Sequence, residues 1–339
     1  MKIGVLWRPE RNINLEKEFV PEDIEDDAFE EGHQHAQALE ESGHETVMLQ
    51  WHKDPAETIQ RIKDENVDFV FNAASDEEVS LLEIMGIPFA GSGMDLTPTD
   101  KAVRKQVVSY HGLPTAKFVV VRDPQHIPPV DHMSYPLFVK ALRGRGSACI
   151  SEENIIENRE ELERMVEKVI RVTGQAALVE EFIEGREFTV GIIGHGEDLS
   201  VLPILEVEYN GVRTNTYEHK MDDVEIIHCP GRFSPNEEKN IVETAKRIFS
   251  LLNARDYGRM DMIMGKDGKP YFLELNTFAG LTKAPEEGGN YVHNSYMGYM
   301  AEAAGMTRKE FIGGILDSAL IRCGLKEKPT IRTKEKMVV

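Results

Sequence analysis

The sequence predicts an α/β protein: an N-terminal domain of the doubly wound parallel kind, followed by two α+β units. Three observations carry this reading. Short apolar runs of strand character alternate with helical periods from residue 1 to residue 72. A Gly91-Ser92-Gly93 punctuator then closes the alternating pattern. Much later, Gly258 to Asn276, GRMDMIMGKDGKPYFLELN, has two apolar strands around an Asp-Gly turn.

In order, strands are expected at Lys2 to Trp7, Glu45 to Leu49 and Val67 to Asn72, with a helix from about Asp27 to Gly43 and another between the second and third strands. Thr99 or Asp100 has the side chain to cap a helix running to Tyr110. Pro136 to Lys140 and Ala177 to Phe182 have strand composition, and Arg159 to Thr173 has the spacing of an amphipathic helix. Further strands and helices follow from Arg186 and end near Arg322. The organisation expected is 1–96 as the α/β domain, 97–185 as a central subdomain, 186–325 as a C-terminal subdomain and 326–339 as a Lys-rich tail.

Composition narrows the function. The chain has 339 residues, 41% of them hydrophobic, enough for several packed cores. Its 39 Lys and Arg against 59 Asp and Glu leave a net charge of -20, which repels nucleic acid and acidic membranes. No apolar run is long enough for a membrane span, and MKIGVLW is followed by charged residues, unlike a signal peptide. A cytoplasmic location is the default expectation. Cys149, Cys229 and Cys323 are far apart, which favours reduced thiols over a disulfide framework or zinc site.

Counting outward from Asp267-Gly268 as a two-residue turn pairs Lys266 with Lys269, Met264 with Tyr271, Met262 with Leu273, Asp261 with Glu274 and Arg259 with Asn276. Pro270 then falls opposite Gly265 at a non-hydrogen-bonded pair, where its missing N–H is harmless. Side chains alternate faces, so Arg259, Asp261, Glu274 and Asn276 share one. Opposed carboxylates repel unless something positive lies between them, and a hard divalent cation shared with phosphate oxygens supplies that charge. The plainer alternative is an acidic pair on a solvated face.

Leu137-Phe138-Val139-Lys140 delivers a lysine towards Arg143-Gly144-Arg145-Gly146-Ser147. The glycines let backbone N–H groups approach an anion, and Ser147 adds a hydroxyl. No GxxxxGK[ST] motif is present, so this is not a Walker loop. Alone it reads as an ordinary basic turn; with the hairpin it describes a nucleotide gripped between two units.

That arrangement resembles the ATP-grasp superfamily and, within it, the D-alanine:D-alanine ligase family. The resemblance runs from about Val67 to Ala319 and includes Leu81 to Gly93 and Asp100-Lys101. It implies that Lys101 and Lys140 contact ATP phosphates and that Val179-Glu180-Glu181-Phe182-Ile183 is the adenine hinge. Backbone groups around Glu181 and Ile183 would read the adenine edge, and Glu180 its amino group. Glu187 matches the ribose ligand, and Lys220, in Tyr217-Glu218-His219-Lys220, matches a phosphate-covering lysine. Asp261, Glu274 and Asn276 match the ligands of two magnesium ions, with manganese as the alternative metal. Arg259 matches the group that stabilises the acyl-phosphate and tetrahedral species; Ser147 and Lys220 complete the catalytic candidates. The histidines read as surface or core residues, since none has a motif partner.

The amino-acid contacts depart from the family. Asn72-Ala73-Ala74-Ser75-Asp76-Glu77-Glu78 stands where the family has an HGxxGEDG segment, and Pro9 to Gly32 has no counterpart of its Glu-x-x-Val-Ser loop. Met221 replaces a tyrosine, and Pro285, which offers no donor, occupies the place of the family's serine that helps bind the second substrate's carboxylate. Gly280 and Lys283 are the substrate-side candidates; Lys283 holds an acidic group or is simply an exposed loop lysine. The acidic run from Pro21 to Glu31 reads as a solvated face, or as the source of one carboxylate for a substrate ammonium. The expected function is an ATP-dependent carboxylate-amine ligase acting through an acyl phosphate, joining an amino acid to another amino acid or small metabolite. An authentic D-alanine:D-alanine ligase is the first alternative, and a non-catalytic ATP-binding regulatory module the second. The partners expected are a small-molecule carboxylate and amine, in a homodimer.

Overall fold

The computed structural model describes residues 1–8, 24–52, 54–74, 76–96, 100–143, 151–209, 225–283 and 294–328. The N-terminal sheet is built from β1 (Lys2–Trp7), β2 (Glu45–Gln50), β3 (Phe69–Asn72) and β4 (Phe89–Ala90), all parallel, in the order β2-β1-β3-β4. The helices α1 (Ile24–Glu41), α2 (Pro55–Glu65) and α3 (Asp76–Met85) connect them. Alternation along β1 explains the two covered faces. Ile3 and Val5 pack with Ala36 and Leu39 of α1, whereas Leu6 packs with Ile62 of α2 and Leu82 of α3. The sheet is doubly wound, as the strand-helix alternation predicts.

The second sheet is antiparallel, β5-β8-β6-β7, from β5 (Phe118–Val121), β6 (Leu137–Ala141), β7 (Ile155–Ile156) and β8 (Ala177–Glu181). Helix α4 (Lys101–Tyr110) precedes it, and α5 (Arg159–Thr173) covers it. Leu162, Met165, Val166 and Val169 recur at helical spacing and pack on Val121, Leu137, Val139 and Val179. Asn158 caps the start of α5 by accepting from Glu161 N, and Gly174 ends it in the left-handed region.

The third sheet runs β12-β11-β9-β13-β14, with β10 also paired to β9. Its strands are β9 (Gly185–His195), β10 (Asp198–Val201), β11 (Leu205–Tyr209), β12 (Glu225–His228), β13 (Asp256–Gly265) and β14 (Pro270–Asn276). Helix α6 (Pro235–Leu251) covers one face through Ile241, Ile248 and Phe249. The other face meets α7 (Tyr296–Ala303) and α8 (Arg308–Arg322), which also pack with α1 and the first sheet. Gly191 is what lets α7 come close: a Cβ there would stand 2.7 Å from Met300 Sδ and 2.8 Å from Met297 Sδ. Among the described residues no helix is long and apolar enough to cross a membrane.

The β13-β14 hairpin corrects the sequence register near its turn. Arg259 pairs with Asn276 and Asp261 with Glu274, but Met262 pairs with Phe272, Ile263 with Tyr271 and Met264 with Pro270. The connection is longer than the expected two residues: Gly265 N donates to Lys269 O, Gly268 N donates to Gly265 O, and Gly268 has φ +75°. This shifts the ladder by one residue, and an irregularity between Asp261 and Met262 shifts it back. Two local departures cancel, so the site end keeps the register counted from a simpler turn.

Candidate active site

The polar face of the hairpin is internally braced. Arg259 donates to Asp261 through Nε and Nη2, each at 2.9 Å, and Asn276 Nδ2 donates to Asp261 Oδ2 at 2.9 Å and to Glu274 Oε1 at 3.3 Å. A fourth donor comes from β9, where Thr189 Oγ1 lies 2.8 Å from Asp261 Oδ1. Opposite Arg259 stands Gly191, and the Arg259 guanidinium lies 5.1 Å from the Tyr296 ring centroid at the start of α7. Tyr296 OH donates to Glu225 Oε2. Burial lowers the Arg259 pKa, but Asp261 and Glu274 outweigh it and the net shift is upward. A permanent cation therefore sits beside two carboxylates.

Helix α4 brings more positive charge to that end. Asp100 caps it by accepting from Ala102 N at 2.9 Å and Val103 N at 3.2 Å. The edge of β14 accepts the helix: Arg104 Nη1 donates to Leu275 O, and Lys105 Nζ donates to Phe272 O at 3.3 Å. Docked this way, α4 places Lys101 Nζ 3.5 Å from Glu274 Oε2. Burial pushes the Glu274 carboxyl up, yet Lys101, Lys140 and Arg259 hold it down at about 2.

The second sheet supplies the facing wall. Glu180, only 3% exposed, lies between Lys140 Nζ at 2.6 Å and Lys105 Nζ at 3.0 Å. Burial raises its pKa, but the two ammonium groups win and hold it at about 2. Sequence reasoning missed Lys105, although it stands four residues after Lys101 on the same helical face. Glu180 is thus engaged as the counterion of two lysines, and beyond the ion pair with Lys105 its buried Oε2 has no hydrogen-bond partner among the described residues. At the hinge, Glu181 N donates to Lys117 O and Phe182 N to Pro136 O, while the Glu181 carboxylate accepts from Ser134 N and Lys117 Nζ. Among the described residues these contacts take the N–H groups of Glu181 and Phe182, not that of Ile183. Glu187, on β9, lies opposite Ile263 of β13 and within electrostatic reach of Lys140.

The chain beyond Asn276 turns towards the N-terminal domain. Leu281 N donates to Glu31 Oε1 at 2.9 Å, and a Cβ on Gly280 would stand 3.3 Å from Ser295 Cβ and 3.7 Å from Glu31 Oε1. Glu31, at the end of the acidic run, therefore contacts the segment that carries Gly280. Lys283 is 5% exposed, which removes the exposed-lysine reading. Ser295 N and Oγ both donate to Thr282 O, at 3.0 and 3.1 Å, which ties Ser295 to Thr282. Ser295 then caps α7 by accepting from Gly298 N at 3.0 Å. Sequence reasoning did not single out Ser295, which stands directly before a helical run. Ser147, Lys220, Met221, Pro285 and Cys149 lie outside the described residues. Cys229 and Cys323 are free, and burial pushes the Cys229 thiol up to about 11.

The donor set suits a hard cation. Among the described residues no group of three or more His, Cys, Asp or Glu side chains is gathered for a metal. Two carboxylates and an amide are nonetheless what magnesium takes when phosphate oxygens complete its shell. Asn276 turns its N–H group to both carboxylates, which directs its carbonyl away from them.

Residues 107–317 match the family model described as D-ala D-ala ligase C-terminus. The chain is 30% identical over 298 residues to the D-alanine:D-alanine ligase of Pelotomaculum thermopropionicum, covering 80% of this chain and 86% of that one. It is 31% identical over 263 residues to the enzyme of the same name from Carboxydothermus hydrogenoformans, covering 72% and 81%. In fold it is similar to the Bacillus anthracis D-alanine:D-alanine ligase solved with ATP, with a TM-score of 0.74, 23% identity, and coverage of 96% of this chain and 100% of that one.

Proposed function

From the premise that the chain belongs to the D-alanine:D-alanine ligase family of ATP-grasp enzymes, we propose that it joins a small-molecule carboxylate to an amine, each an amino acid or small metabolite, at the expense of ATP. The observation that carries the site assignment is the convergence of Lys101 and Lys140, from separate elements, on the carboxylate face of the β13-β14 hairpin.

In this reading the substrate carboxylate oxygen attacks the γ-phosphorus, ADP leaves, and an acyl phosphate forms. The amine then attacks the acyl carbon, inorganic phosphate leaves with the C–O electron pair, and the nitrogen loses a proton. Lys101 and Lys140 offset the phosphate charge, and Lys220 and Ser147 are assigned to the same task. Arg259 holds the oxyanion that develops at the acyl carbon. Asp261, Glu274 and Asn276 would hold magnesium, two ions or manganese in their place, which supplies charge neutralisation on phosphate oxygens. The Ile183 N–H and the hinge carbonyls would read adenine, and Glu187 would accept from the ribose hydroxyls. Glu180 keeps Lys140 charged and in place. Gly280, Lys283 and Ser295 line the substrate side, with Glu31 fixing the Gly280-Leu281 peptide. The family premise also supports a homodimer working in the cytoplasm.

The test is ADP release from magnesium-ATP with pooled L- and D-amino acids, followed by mass spectrometry for a product lighter than its two parts by one water. An amino-acid-dependent signal is expected. ATP binding with no ADP from any amino-acid or metabolite pool would instead favour a non-catalytic module. The relatives' own names favour D-alanine as both substrates, and D-alanyl-D-alanine as the sole product would select that narrower reading.

A further inference from the structure

We propose that Thr189 is a positioning residue for Asp261, setting through its hydroxyl the carboxylate geometry with which the hairpin takes a divalent cation. The inference rests on the assignment of Asp261 as a metal ligand. Thr189 stands directly opposite Asp261 in the β9-β13 ladder and is 2% exposed. Its hydroxyl lies 2.8 Å from Asp261 Oδ1 and 3.2 Å from Met260 O. A hydroxyl has one proton, and the shorter, charge-assisted bond to the carboxylate takes the larger share of it.

The remaining donors show why this one matters. Asp261 Oδ2 is held by Arg259 Nη2 and Asn276 Nδ2, and Oδ1 by Arg259 Nε and Thr189. Arg259 and Asn276 are themselves assigned to reacting groups, so their contacts with Asp261 must accommodate those tasks. Thr189 has no such task. It sits on the central strand of the sheet, beside the hairpin, and a β-branched side chain there has few rotamers to choose from. It is the contact that fixes the carboxylate plane independently of substrate. Outer groups that orient a metal-binding carboxylate are typically worth 10- to 100-fold in metal affinity.

The experiment is Mn2+ titration of the full-length protein saturated with ADP, counting free Mn2+ by electron paramagnetic resonance. Thr189→Val is expected to raise the Mn2+ dissociation constant about tenfold, and Thr189→Ser, which keeps the hydroxyl, to stay within about threefold of wild type. Thr189→Ala replaces the valine variant if valine prevents folding. Unchanged affinity in Thr189→Val alongside lost affinity in Asp261→Asn overturns the role of Thr189 and leaves the metal assignment standing. Equal weakening in the serine and valine variants also overturns it, pointing to methyl packing. Unchanged affinity in Asp261→Asn removes the metal assignment and this inference with it.

Discussion

On one side of Asn276 the chain is held by its own ladder, and on the other by residues from distant parts of the sequence. Before it, Arg259, Asp261, Glu274 and Asn276 brace one another across two adjacent strands. After it, Leu281 is held by Glu31, 250 residues away, and Thr282 by Ser295. The proposed function puts phosphate and metal chemistry on the first region and the choice of substrate on the second. A local ladder can stay fixed while the distant supports of the second region change.

The largest effect should come from the ladder itself. Glu274→Gln keeps the shape and removes the charge that faces Lys101 and Arg259. ATP turnover is expected to fall on the order of 10³-fold, with the fold intact by circular dichroism. Turnover within a few-fold of wild type would break the division between the two regions.

Next comes the wall facing the hairpin. Glu180→Gln leaves Lys105 and Lys140 buried without their counterion, and denaturant unfolding should show a loss of about 3 kcal/mol at neutral pH. The pH dependence has a definite sign. The Glu180 pKa is depressed from 4.5 to about 2 in the folded protein. Its contribution is therefore full above the ordinary carboxylate range and is lost as pH falls towards about 2. The wild type should lose stability more steeply than Glu180→Gln between about pH 5 and pH 2.

The second region predicts a different pattern. Glu31→Ala removes the acceptor of Leu281 N–H, and the expected stability loss is about 1 to 2 kcal/mol. ATP affinity, measured by calorimetry, should stay within about twofold, because Glu31 touches the substrate-side loop and not the lysine cluster. A large loss of ATP affinity would join the two regions into one unit.

Legibility in the sequence follows the same division. The doubly wound domain is readable because its strands alternate with helical periods and β1 alternates its contacts with period two. The clustering of Asp261, Glu274 and Asn276 is readable because side chains alternate along each strand and the two departures from the count cancel before the site. Lys105 was within reach, as helical spacing from Lys101 points to it. Glu31 and the tie of Ser295 to Thr282 were not, since no local rule says which residue of an acidic run reaches a distant segment, or which two loop residues meet. The pairing of Glu180 with Lys105 and Lys140 was not legible either, because a motif gives a position in the chain and not the charges that gather around it.

The smallest effect tests the far end of the hairpin. The turn differs from the one counted from sequence, yet the irregularity beside Asp261 restores the pairing of Asp261 with Glu274. If that irregularity decouples the two ends, strain at the turn should stay there. Gly268 has φ +75° and open space around a notional Cβ, so Gly268→Ala meets backbone strain and no clash. The expected loss is about 1 kcal/mol in stability, with ATP turnover unchanged within error. A drop in turnover larger than that strain explains would mean that the turn sets the register of the site, and that the irregularity transmits the shift instead of absorbing it.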